Sequence, residues 1–209
     1  MKTGARAAVL RDLLARVGHG PITDAPAVPR LTTLPSEYAG RIMHLFRSLG
    51  GTMPSPTLRP GSWDLACRDG VVVELDEELH FNRYRRITLQ PDWMRSLPWR
   101  DRYLTFATER EAECLAATWG HRWTNASSES LFGVADARGQ FIANGAPRWK
   151  QRALYDAMKD AAALADDRIR LIRLSTHDEV GGVRLGAVLE RRASFDLNIF
   201  GELVSQRTS

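Results

Sequence analysis

The sequence predicts an α/β fold, a mixed central β-sheet flanked by helices, with a helical arm ahead of it. Three observations carry that prediction. Two short apolar runs enclose Arg68-Asp69-Gly70, and an Asp-Gly pair between apolar segments is the usual signal for a tight antiparallel hairpin. A later apolar run, Arg168 to Ser175, follows a helical pattern, so it returns parallel to the hairpin's second strand through a helical crossover. A stretch punctuated by Pro21, Pro26, Pro29 and Pro35 sets the first helix apart as an arm on an extended linker.

The elements follow in order. Residues 4–17 place Val9, Leu10, Leu13, Leu14 and Val17 on one helical face, and Gly18 and Gly20-Pro21 end the run. This arm docks on the rest of the chain or on a second copy, which makes a homodimer through the N-terminal helix one expected assembly. The linker closes the arm at about residue 34, leaving 35–209 as one α/β domain with an insertion at about 81–148. Ser36 caps a helix over 36–49 whose stripe is Tyr38, Ile42, Leu45, Phe46 and Leu49, and Gly50-Gly51 stops it. Val71-Val72-Val73, β-branched and uninterrupted, suits a central strand buried on both faces.

Past the hairpin, a helix is predicted over 109–119, closed by Gly120. Residues 121–148 have no strong period and suggest one short hairpin around Gln140. A helix over 149–165 carries the stripe Leu154, Met158, Ala161 and Ala162, with Lys150, Arg152 and Lys159 on its polar faces. His177-Asp178-Glu179 reads as a strand-end loop, because three consecutive residues cannot share one face of a strand. The alternation of Phe195, Leu197 and Ile199 predicts an edge strand.

An apolar content of 44% and a charged content of 26% are those of an ordinary soluble protein. The net charge of +4, from 29 basic and 25 acidic residues, permits nucleic-acid binding without demanding it. Cys67 and Cys114 have no partners at metal-ligand spacing, and the chain reads as a product of the reducing cytosol. No apolar run reaches the length of a membrane span, and Arg11 and Asp12 interrupt the first helix too early for a signal peptide. A cytoplasmic protein without a membrane partner is the expectation.

The chemistry gathers at the hairpin. Glu74 and Asp76 sit two residues apart on the second strand and so point to one side, while Asp64 lies at hairpin distance on the first strand. Carboxylates converging in this way repel unless a cation sits among them, and a hard divalent ion such as magnesium takes this ligand set. The plainer reading is a solvated acidic strand end. Beyond His80 the chain turns basic: Arg83, Arg85 and Arg86, interleaved with aromatic residues, are suited to holding a phosphate backbone. A loop with packed aromatics and wet arginines explains them equally.

Asp64, a turn, Val71-Val72-Val73-Glu74-Leu75-Asp76 and then His80 resemble the core of the PD-(D/E)XK nuclease superfamily, nearest to the branch of very-short-patch-repair endonucleases. The resemblance implies a restriction-endonuclease-like fold and a magnesium- or manganese-dependent endonuclease acting on nucleic acid, with DNA the first choice, in repair or defence. It implies Asp64 and Glu74 as metal ligands assisted by Asp76 and His80, with Glu37 on the preceding helix as a further ligand. His80, a residue type whose unperturbed pKa is about 6.5, is the proton-transfer candidate. Asp76 stands where the superfamily has a lysine, and Lys150, beside Trp149 as in the repair branch, is the candidate to replace that amine. The competing function is a catalytically inactive nuclease-like scaffold that binds nucleic acid or protein.

Overall fold

The computed structural model describes residues 4–209; residues 1–3 of the predicted arm lie outside the described residues. In chain order the elements are α1 (Ala5–Arg16), α2 (Ser36–Ser48), β1 (Leu65–Ala66), β2 (Val71–Asp76), α3 (Arg83–Leu89), α4 (Arg100–Glu109), α5 (Glu111–Ala116), α6 (Ala126–Phe132) and α7 (Pro147–Ala165). Then follow β3 (Arg170–Ser175), β4 (Glu179–Val180), β5 (Val183–Arg184), α8 (Leu185–Leu189) and α9 (Leu197–Gln206). The fold is mixed α/β with a small mixed sheet, and none of the described helices is long and apolar enough to cross a membrane. The described chain divides into two compact units, one made of residues 4–28, 62–77 and 166–209, the other of 29–61 and 78–165.

The first unit holds the sheet, in the order β1-β2-β3. β1 and β2 form the predicted hairpin: Asp69 and Gly70 both take positive φ, 59° and 73°, and the Val71 N–H donates to the Arg68 carbonyl across the turn. Two consecutive left-handed residues give the turn whose twist matches that of its strands. β2 and β3 run parallel with Val73 beside Ile172 and Asp76 beside Ser175, as the crossover reading requires.

Strand alternation then sorts the side chains. Val71, Val73 and Leu75 join Ile172 and Leu174 in an apolar core, which α1 completes with Leu10, Leu13 and Leu14. Val72, Glu74 and Asp76 point to the other face, and all six residues of β2 are buried. Both sheet edges are covered: Pro21 bridges to Cys67 beside β1, and Thr208 bridges to Ile172 beside β3. Such covering removes the open edge that otherwise invites strand addition.

One strand prediction is corrected here. Residues 195–199 do not form an edge strand; Leu197 opens α9, with Phe200 and Val204 buried. An i, i+3, i+7 apolar set is helical, and the Asp196 carboxylate caps the helix by accepting from the Asn198 N–H.

The second unit is helical, with α2, α3 and α6 packed around α7. α7 buries most of its surface, Lys150 and Lys159 included, so the predicted polar faces are not solvated ones. At α2 the cap position is Pro35, and Ser36 is the first helical residue with no capping bond from its side chain. The helix predicted over 109–119 is the shorter α5, Glu111–Ala116, separated at Arg110 from α4, which the sequence reading did not place. Trp99, Tyr103 and Phe106 are buried on a helical i, i+4, i+7 period, and Phe81 packs edge-on against Tyr103 and Phe106. Aromatic spacing there serves the core.

No hairpin forms around Gln140. The connection from Gly133 to Ala146 is instead folded around one carboxylate: Asp136 accepts N–H bonds from Ile142, Ala143, Asn144 and Gly145 at 2.7, 2.8, 3.2 and 2.8 Å. The Trp123 indole N–H donates to the Asp136 carbonyl at 2.8 Å. Backbone N–H bonds, that of Ala143 foremost, hold the Asp136 carboxyl below its ordinary pKa.

Two predictions follow from these local geometries. A Cβ at Gly70 meets the Arg168 carbonyl oxygen at 2.0 Å in a left-handed backbone, so Gly70→Ala destabilises the first unit by about 2–4 kcal/mol in urea unfolding. Because the folded pKa of Asp136 is depressed, its stabilisation is complete above the unfolded carboxyl value of about 3.9 and is lost as pH falls through the folded value. The amide resonances of residues 142–145 then lose hydrogen-exchange protection in that acid window, and in Asp136→Asn the window disappears.

Candidate metal centre

The hairpin register that pairs Leu65 with Val73 sets Asp64 across from Glu74. Their carboxylates are fixed reciprocally by backbone amides. The Leu75 N–H donates to Asp64 Oδ2 at 2.8 Å, and the Asp64 N–H lies 3.3 Å from Glu74 Oε1. Asp64 is exposed whereas Glu74 is only 3% exposed, so one carboxylate meets water and the other sits under cover. Two oxygen donors held at a strand mouth, one of them solvent-facing, fit a hard divalent cation that keeps part of its water shell.

Asp76, two residues beyond Glu74 on the same face, is held differently. Arg173 Nη1 donates to both its carboxylate oxygens, at 2.9 and 2.7 Å, and neither side chain is more than 1% exposed. Arg173 stands beside Glu74 in the parallel register, one step diagonal from Asp76. This guanidinium was missed in reading the sequence, although a signal was there: it interrupts Leu171-Ile172-Arg173-Leu174, where a strand interior should be apolar. At the end of β3, Asp178 accepts from the Ser175 N–H at 2.8 Å and from Arg207 at 2.6 Å; His177 and Asp178 lie in the predicted strand-end loop, whereas Glu179 opens β4.

The remaining predicted residues belong to the helical unit. His80 Nδ1 lies 2.8 Å from Asp156 Oδ2, with Asp156 buried on α7 and His80 partly exposed. One turn earlier on α7, Arg152 donates to the Leu79 carbonyl at 3.3 Å and so secures the segment that carries His80. Asp156 enters the sequence reading only within the order Trp149-Lys150, Asp156, Lys159-Asp160 that resembles the repair-endonuclease branch, with no role assigned to it; the structure gives it one as the partner of His80. Glu37 is exposed and pairs with Arg41 one turn on, as a surface i, i+4 ion pair. Lys150 is buried, its ammonium over the rings of Tyr84 and Phe132, and burial pulls its pKa below the ordinary lysine value.

The three arginines separate. Arg85 is fully buried and donates to Asp160 at 2.7 Å, which corrects its assignment to nucleic-acid binding: a phosphate cannot reach it. Arg83 is held by Glu111, with Nε 2.9 Å from Oε1, and Arg86 is exposed. Arg83 and Arg86 line a shared hollow of about 450 Å³ with Thr108 and Glu111. Cys67 and Cys114 are free and buried, and burial pushes the Cys114 thiol up to about 12, which excludes it as a nucleophile at neutral pH.

The Asp76–Arg173 pair makes a stability prediction. Arg173→Leu leaves a carboxylate buried beside apolar strands and costs about 3–5 kcal/mol, whereas the double replacement Arg173→Leu with Asp76→Leu recovers most of it. Urea unfolding of the two variants beside the parent protein measures the difference; equal losses in both would deny the coupling.

Among known proteins, a family model described as a family of unknown function (DUF7255) matches residues 44–191. No curated protein and no solved structure matches the chain.

Proposed function

The chain belongs to that family of unknown function, and we propose that it is a metal-dependent nuclease that hydrolyses phosphodiester bonds of nucleic acid, with DNA as the first substrate to test. One observation carries the reading: Asp64 and Glu74 face each other across the hairpin, each with an oxygen fixed by a backbone amide.

Asp64 and Glu74 are the ligands for magnesium or manganese in this reading. Such an ion, when bound, lowers the pKa of a water and neutralises charge on the scissile phosphate. The burial of Glu74 keeps its carboxylate oriented, and Asp64 faces the solvent from which substrate arrives. Arg173 takes up the charge of Asp76, so Asp76 serves to fix the strand end rather than to bind substrate. Asp156 orients the His80 imidazole through Nδ1, and His80 is the group for proton transfer. Arg83 and Arg86 contact backbone phosphates, which gives salt-dependent and largely sequence-blind affinity.

A second reading has an observation of its own. The superfamily's lysine position holds Asp76, tied to Arg173, and the Lys150 ammonium is packed over Tyr84 and Phe132. Both facts suit a nuclease-like scaffold that binds without cutting.

Incubation with supercoiled plasmid, linear duplex, single-stranded DNA and RNA, with magnesium, with manganese and with EDTA, separates the two. The nuclease reading expects metal-dependent cleavage that drops about 100-fold or more in Asp64→Asn and in Glu74→Gln. Retention of nucleic acid without cleavage, unchanged in those variants, supports the scaffold. Absence of cleavage together with no magnesium-dependent rise in Tm sinks the metal centre.

A further inference from the structure

Away from the carboxylates, the helical unit contains a hollow of about 690 Å³ whose walls come from Arg30 to Thr32, Met43 and the segment Pro54 to Arg59. Its volume falls in the range of small-molecule sites. Two arginines line it, and their guanidinium groups have no carboxylate partner among the described residues. Arg30 Nη1 is buried with no hydrogen-bond acceptor among the described residues. An unmet N–H of a charged group under cover is costly, and an acceptor that draws the Arg30 guanidinium out into the hollow relieves that cost.

The local charge points the same way. Residues 29–61 hold four arginines, Arg30, Arg41, Arg47 and Arg59, against the single carboxylate of Glu37, and Glu37 is engaged by Arg41. The hollow also presents the hydroxyl-bearing Thr32 and Thr57 beside the arginines, and Met43 and Leu58 as an apolar wall. Guanidinium and hydroxyl donors with an apolar neighbour suit an anion rich in acceptor oxygens and attached to an organic body.

We propose that this hollow is a binding site for an organic phosphate of nucleotide size, with Arg30 and Arg59 taking the phosphate and Met43 and Leu58 supporting the body. It is independent of the nuclease reading: none of its lining residues is a proposed metal ligand or proton-transfer group. The same phosphate chemistry is offered by a free nucleotide and by the end of a nucleic-acid strand, and the test distinguishes them.

Isothermal titration of the full chain with adenosine monophosphate, a 5′-phosphorylated eight-nucleotide single strand, the same strand without its terminal phosphate, and citrate gives the readout. Magnesium is left out, so that failure of the metal centre does not affect the result. Binding of adenosine monophosphate, weakened at least tenfold by Arg59→Ala and by Thr57→Glu, is expected; both positions are exposed, so the variants keep the fold, checked by an unchanged Tm. Competition by the phosphorylated strand alone assigns the strand end as the source, and lack of competition assigns a free nucleotide. Citrate binding as tightly as the phosphates, binding insensitive to both substitutions, or no binding of either phosphate would overturn the proposal.

Discussion

A carboxylate and a guanidinium buried side by side on neighbouring parallel strands constrain the rest of the sheet. Asp76 and Arg173 are each almost fully withdrawn from water, and each offsets part of the cost of burying the other. Their pairing demands the β2–β3 register that puts Asp76 beside Ser175 and Glu74 beside Arg173. A slip of one residue would carry Glu74 and Asp76 into the apolar core and bring Val73 and Leu75 out of it. The same register keeps Glu74 on the face where Asp64 meets it across the hairpin. Structural ion pair and candidate metal centre are thus consequences of one alternation along a single strand.

The helical unit solves an analogous problem on α7. Its buried side chains include Asp156 and Asp160, and each carboxylate is met by a basic group from the 78–89 segment: His80 for Asp156, Arg85 for Asp160. Spaced four residues apart, the two acids fall on one helical face and fasten that segment at two points. Arg85 therefore contributes to packing and specificity of docking, while Arg83 and Arg86, off that face, remain near the surface. Three arginines that look alike in the sequence take different roles because helical phase turns them in different directions.

Polar groups also replace regular structure in the Gly133–Ala146 connection. With no strand or helix to satisfy the amides of residues 142–145, the Asp136 carboxylate accepts all four. Such local side-chain-to-backbone bonding competes with secondary structure, and here it prevails. A segment without apolar period is ordered by one acid together with the packing of Phe141 on Trp123 and Trp149.

What the sequence by itself determined is what local chemistry controls. Asp69-Gly70 specifies a left-handed turn, which fixes the hairpin and with it the facing of Asp64 and Glu74; the stripes of α1, α2 and α7 specify helices; Arg168 to Ser175 specifies a strand. The tertiary structure decided where charges end up. Arg173 and Arg85 are drawn inside by acids 97 and 75 residues away in the chain, and Lys150 is covered by aromatic rings from other helices. It also turned the Phe195-Leu197-Ile199 alternation into helix, since Phe200 and Val204 gain a core only on a helical period. Burial of a charge depends on a partner brought by the fold, and no spacing along the chain records that partner's arrival.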